Sequence, residues 1–158
     1  PNHFTFFGFT GDSEKKIWTV LVDKETRCNA YELSPNIVIE KGNLSRDSYR
    51  EICQGGLRGK KGYVYTSEKL PAGKYSLTLL FSEFIMTKEK DRVFNVFVQT
   101  STGRQDIKGV DIFKESGGEL RGLEKVVHIE VQTPEPIKVV LHPKRNETIL
   151  SGIVIEKL

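Results

Sequence analysis

Leu70-Pro71-Ala72-Gly73-Lys74-Tyr75-Ser76-Leu77-Thr78-Leu79-Leu80-Phe81-Ser82-Glu83-Phe84 opens on a turn and continues as an alternation. Pro71 fixes φ and Gly73 supplies the freedom that a tight turn needs. From Lys74 onward, Tyr75, Leu77, Leu79 and Phe81 fall on one face, with Ser76, Thr78 and Ser82 on the other. That period of two belongs to a half-buried strand. Leu80 breaks the alternation by putting an apolar side chain on the polar face. One face of this strand must lie against a second layer.

Outward from that stretch the same punctuation recurs. Val93-Phe94-Asn95-Val96-Phe97-Val98 is largely apolar on both faces and reads as a central strand. Val127, Ile129 and Val131 alternate with His128 and Glu130; after Pro134 and Pro136 the pattern resumes at Ile137, Val139 and Leu141. These two runs are expected to form a hairpin. Ile149 to Ile155 supplies a last strand, and Phe4 to Phe9, Ile17 to Val22, Ile37 to Glu40 and Tyr63 to Tyr65 are earlier candidates. The helical signal is confined to Ser45 to Cys53, with Ser45 as N-cap. About eight strands predict an all-β fold, an antiparallel β-sandwich of jelly-roll type with at most a short helix. Its 158 residues suit a single domain spanning 1–158.

Composition bounds the function. At 37% hydrophobic and 28% charged residues the chain is of globular class, and no apolar run reaches the length of a bilayer span. The net charge of +3 comes from 24 basic residues interspersed with 21 acidic ones, without a long run. This predicts no specific nucleic-acid partner. Cys28 and Cys53 are expected to be free thiols. Asn43-Leu44-Ser45 and Asn146-Glu147-Thr148 are glycosylation sequons, relevant only in a secreted protein. The start at Pro1, without Met, suggests a fragment of a larger protein.

The residues offer no catalytic constellation. A Gly-x-Ser-x-Gly elbow is absent, and His128 and His142 alternate with apolar neighbours as outward strand residues do. Cys28, Cys53, His128 and His142 lack the close pairings of a zinc site. The expectation is a non-enzyme without metal or cofactor. Gly55-Gly56-Leu57-Arg58-Gly59-Lys60-Lys61-Gly62 reads as a flexible basic connection. It fails as a phosphate loop because Gln54 and Lys61 stand where Gly and Ser or Thr are needed. Arg58, Lys60 and Lys61 are nonetheless candidates for contact with an acidic partner, and Tyr63 and Tyr65 for stacking on sugar faces. Glu83 and Asp91 are expected at a solvated hairpin tip, in exposed ion pairs.

Four pieces in order carry a resemblance: Leu70 to Tyr75 with Leu80-Phe81-Ser82-Glu83-Phe84, Asp91 to Gln99, Val110-Asp111-Ile112-Phe113, and Leu150-Ser151-Gly152-Ile153-Val154-Ile155-Glu156-Lys157. Together they resemble malectin domains, and look closest to those carried by some kinesins. The resemblance implies a β-sandwich of galactose-binding or jelly-roll type. It also implies a binding surface at the loop end, with Tyr63, Tyr65, Phe84, Ile85, Arg145, Asn146 and Glu147 as ligand-binding candidates. Phe84 keeps one member of the family's aromatic pair, while Ile85 replaces the other. Two functions follow as expectations: an interaction module for a protein partner or cargo in a larger, kinesin-like protein, or a lectin for glucose-containing oligosaccharides. The first places the chain in the cytoplasm, the second in the endoplasmic reticulum or outside the cell.

Overall fold

The computed structural model describes residues 2–9, 15–22, 28–33, 37–60 and 62–158, of which 2–9, 15–22, 28–33 and residue 63 are described through their backbone. In chain order the elements are β1 (Asn2–Phe9), β2 (Lys15–Val22), β3 (Cys28–Leu33), α1 (Tyr49–Ile52), β4 (Gly55–Gly59), β5 (Tyr63–Leu70), β6 (Gly73–Phe81), β7 (Val93–Thr100), β8 (Gly103–Val110), α2 (Ile112–Ser116), β9 (Leu123–Val131), β10 (Glu135–Arg145), β11 (Thr148–Leu150) and β12 (Gly152–Lys157). Nine strands make one sheet in the order β8-β7-β10-β5-β2-β1-β12-β6-β9, and β11-β4-β3 make a second. The pairing is antiparallel except between β1 and β12, which run parallel.

The long sheet folds over on itself. Leu77, Leu79 and Phe81 of β6, with Val127 and Ile129 of β9 and Ile153 of β12, share one core with Phe94 and Val96 of β7, Val139 and Leu141 of β10 and Tyr65 of β5. Phe81 and Phe94 meet across the two layers, ring centroids 5.6 Å apart and tilted by 53°. Each fully buried Leu, Ile, Val or Phe stabilises this sandwich by about 1.5–3 kcal/mol, before the cost of ordering the chain.

Leu80 has a layer of its own. On the outer face of β6 and β12 it joins Val154 under Ile39, Leu44, Tyr49 and Cys53, a second core supplied by the segment 37–54. Arg50 fastens that segment by donating from Nε to the Ile39 carbonyl at 2.6 Å, and Gln54 by donating to the Ile37 carbonyl at 3.0 Å. The segment lies close to the chain before β9: a Cβ on Gly42 would come 2.1 Å from the Gly122 carbonyl oxygen.

Several sequence expectations change. The runs of β9 and β10 are not a hairpin. β9 pairs with β6, whereas β10 lies between β5 and β7, so the proline-bearing connection crosses between layers. Ser45 is not an N-cap; it donates from Oγ to Glu124 at 2.9 Å, and α1 starts after Ser48. Ile37 to Glu40 is not a strand, apart from a single bridge between Glu40 and Arg121. Gly55–Gly59 of the supposed flexible connection form a strand instead, in which Leu57, Arg58 and Gly59 of β4 pair with Leu150, Ile149 and Thr148 of β11. Val93–Thr100 is an interior strand of the sheet, one place from its edge. Cys53 is a buried free thiol, while the side chain of Cys28 lies outside the described residues.

Candidate functional site

One end of the sandwich collects the segments on which most of the sequence candidates fall. There β6 ends, β7 begins, β8 ends, β10 ends and β5 begins, because the register sets Val93 opposite Arg145, Phe94 opposite Val110, and Leu141 opposite Tyr63. Thr148 lies opposite Gly59, so Lys60 follows directly beside the 145–147 loop.

Beneath these loops runs a chain of charges. Arg92 donates from Nε to Glu83 Oε1 at 2.7 Å and from Nη2 to Glu83 Oε2 at 3.1 Å. Its Nη1 donates to the Glu147 carbonyl at 3.0 Å. The Glu147 carboxylate turns to Arg58, whose Nη1 is 3.2 Å away. Glu83 Oε2 also accepts from the backbone N–H groups of Ile85 and Met86, at 3.2 and 3.3 Å. The side chains of Arg92 and Glu83 are 1% and 0% exposed, so Glu83 is no solvated tip residue. A guanidinium and carboxylate of this kind meet as a planar fork, which fixes direction as well as distance.

Further ties join the same loops. Asp111 Oδ2 accepts from the Lys90 N–H at 2.7 Å, while Oδ1 caps α2 by accepting from Lys114 N–H at 3.2 Å. Glu115 reaches back to the Asp111 N–H at 2.9 Å, completing a reciprocal cap. Asn146 donates its amide to the Asp91 carbonyl. Lys90 and Asn146 both hold left-handed backbone, at φ 66° and 60°. Such residues persist only where their surroundings fix them.

The structure gathers Phe84, Ile85, Arg145, Asn146, Glu147, Arg58 and Lys60 at this end. Ile85 is 42% exposed, Phe84 is half-buried against both cores, and Lys60, Arg145 and Asn146 are exposed. Arg58 and Glu147 are 15% and 12% exposed and are committed to each other, so they form a link beneath the surface. Tyr65 is not a loop residue: it belongs to β5, opposite Val139, with 0% exposure. Tyr63 also belongs to β5; its side chain and residue 61 lie outside the described residues. Sequence reading missed Asp111, Arg92 and Lys90. Their only visible signal was membership of the charged run 88–92 and of the Val110 to Phe113 piece.

Among the described residues no group of three or more His, Cys, Asp or Glu side chains comes together as metal ligands would. No helix of these residues is long and apolar enough to cross a membrane.

The architecture is similar to that of plant receptor ectodomains. The ANXUR1 extracellular domain from Arabidopsis thaliana superposes with a TM-score of 0.70 at 17% identity, over 95% of this chain and 47% of that one. For the ANX2 ectodomain from the same plant the TM-score is 0.69 at 18% identity, over 96% of this chain and 49% of that one. A chain of the complex of the plant peptide RALF23 with FER and LLG2 gives 0.65 at 15% identity, over 79% and 38%. The chain thus spans about half, or less, of the length of these solved structures, and at such identity the likeness is one of fold. No curated protein matches significantly. Residues 8–147 match the family model described as Malectin domain, a span that takes in the sandwich from β1 to the Glu147 loop, and the chain belongs to that malectin domain family.

Proposed function

We propose that the chain is a non-catalytic binding module that engages a protein partner through the loop end carrying Ile85 and Arg145. The observation that carries this reading is the kind of side chain presented there. The exposed large hydrophobic residues of that end among the described residues are aliphatic, Ile85 at 42% in the loop and Val64 at 37% at the start of β5, while Tyr65 is inside the core and Phe84 is half-buried. Sugar recognition favours exposed aromatic faces with polar tips. An aliphatic side chain ringed by charged loops suits a protein contact, where a small apolar anchor sits inside a polar rim. The buried fork between Arg92 and Glu83 holds the loop in place, which lowers the ordering cost of binding. That a chain of this fold occurs in a complex with the peptide RALF23 and LLG2 supports the same reading.

A single domain spanning 1–158 within a larger protein belongs to this proposal, and a motor-bearing parent rests on the sequence motifs alone. The test compares wild type and Ile85→Asp in recovery of bound proteins from a cell extract, beside a calorimetric titration with glucose disaccharides. Partners lost with Ile85→Asp and no heat from the sugars are expected. Saturable disaccharide binding abolished by Tyr63→Ala would instead establish the lectin reading.

A further inference from the structure

The loop end separates its charges by sign. Its acids Glu83, Asp111 and Glu147 point inward, where Arg92, the cap of α2 and Arg58 consume them. Its bases Lys60, Lys90, Lys144 and Arg145 are exposed, and among the described residues none of the four is held in an ion pair. Lys88 is shared with Asp91 at 3.9 Å; Glu89, Glu115 and Glu119 are exposed acids nearby, of which Glu115 is paired with Lys125. With those acids turned inward, the charge this end presents to solvent is mainly basic.

Three connections bring the four cations together. Lys60 follows Gly59, which pairs with Thr148. Arg145 pairs with Val93. Lys90 precedes Asp91, whose carbonyl holds Asn146. Like charges on adjoining, anchored loops repel one another, and a ligand of opposite sign relieves that repulsion.

We propose that Lys60, Lys90, Lys144 and Arg145 dock an acidic segment of a protein partner, with an apolar side chain of that segment seated on Ile85. This rests on the partner-binding reading above and names the partner's chemistry. A free anion would leave Ile85 uncovered. Single-stranded nucleic acid would need aromatic platforms for its bases, and the described aromatic residues of this end are at most half-exposed.

A random peptide library displayed on phage and selected on the whole chain tests this. Enriched peptides are expected to carry two or more acidic residues beside an aliphatic or aromatic one. Synthetic copies should bind about tenfold or more weakly to Lys60→Glu/Arg145→Glu, and weaken steeply between about 0.05 M and 0.5 M salt. Lys90→Glu/Lys144→Glu provides a second pair if the first folds poorly. Lys138→Glu, an exposed position further along β10, should leave binding unchanged. Enrichment of neutral peptides that are lost with Ile85→Asp would overturn the acidic-segment proposal and leave the partner reading standing. No enrichment at all, or tighter binding of an oligothymidine probe at the same residues, would overturn both.

Discussion

Arg92 and Glu83 hold each other side-on in the interior, two hydrogen bonds wide, and the remaining nitrogen of Arg92 reaches across to the Glu147 carbonyl. Removing one partner of such a pair leaves a buried charge uncompensated, which costs more than the intact pair contributes. Arg92→Ala is therefore expected to destabilise the fold by about 3–5 kcal/mol. Arg92→Lys, which cannot reproduce the fork, should recover only part of that loss. Urea unfolding of the two variants checks this, and equal stability for Arg92→Lys and wild type would show that direction does not matter.

Leu80 shows how far the alternation could be read. The alternation placed Leu77, Leu79 and Phe81 correctly toward one core and marked Leu80 only as an exception, whereas the structure covers that second face as well. What covers it was not legible, because the segment 37–54 is held by side-chain bonds to carbonyls and by a helix of one turn, neither of which has a period. For the same reason β9 and β10 were misread as partners: alternation fixes which face is inward, not which strand lies beside it. Leu80→Ala should cost about 2–5 kcal/mol, as for other fully buried leucines. Chemical denaturation is the measurement. A loss below 1 kcal/mol, on the order of a surface change, would mean that the second core adds little.

The acid–base chemistry of Cys53 follows from the same covering layer. Burial first, and Glu124 second, push its thiol from 9.0 up to about 12. A folded-state value raised above the unfolded one favours the protonated form in the fold. That stability is fully present below pH 9 and is lost as pH rises from there through about 12. In a Cys28→Ser background, the urea midpoint of wild type at Cys53 should fall more between about pH 8 and pH 10 than that of Cys53→Ala. Disulfide reagents should react with Cys53 only as fast as the chain opens.

Most of the candidate site was legible as segments, and little of it as roles. The motif pieces ending at Phe84 and beginning at Asp91 do meet at the loop end. Yet Glu83 at its strand end and Asp91 in the run 88–92 read as a solvated tip, because neither position shows in sequence that Glu83 turns inward to meet Arg92. Arg58 and Lys60 were grouped together by proximity, although strand geometry sends the first under the surface to Glu147 and leaves the second exposed.

Asn146 provides the sharpest separation between loop strain and loop anchoring. Its φ of 60° is a region that Gly adopts freely and Ala does not, and its amide ties the 145–147 loop to Asp91. Asn146→Gly keeps the backbone and loses the tie; Asn146→Ala loses the tie and strains the backbone. The Ala variant should therefore be less stable than the Gly variant by about 1 kcal/mol. Both should weaken binding of an acidic peptide at the loop end, because each frees the loop that carries Arg145. Denaturation midpoints and peptide titrations on the two variants check the two halves separately. Equal stability of Gly and Ala at this position would show that the left-handed backbone is not retained in solution, and unchanged peptide affinity in both would show that the Asp91 tie does not hold Arg145 for its partner.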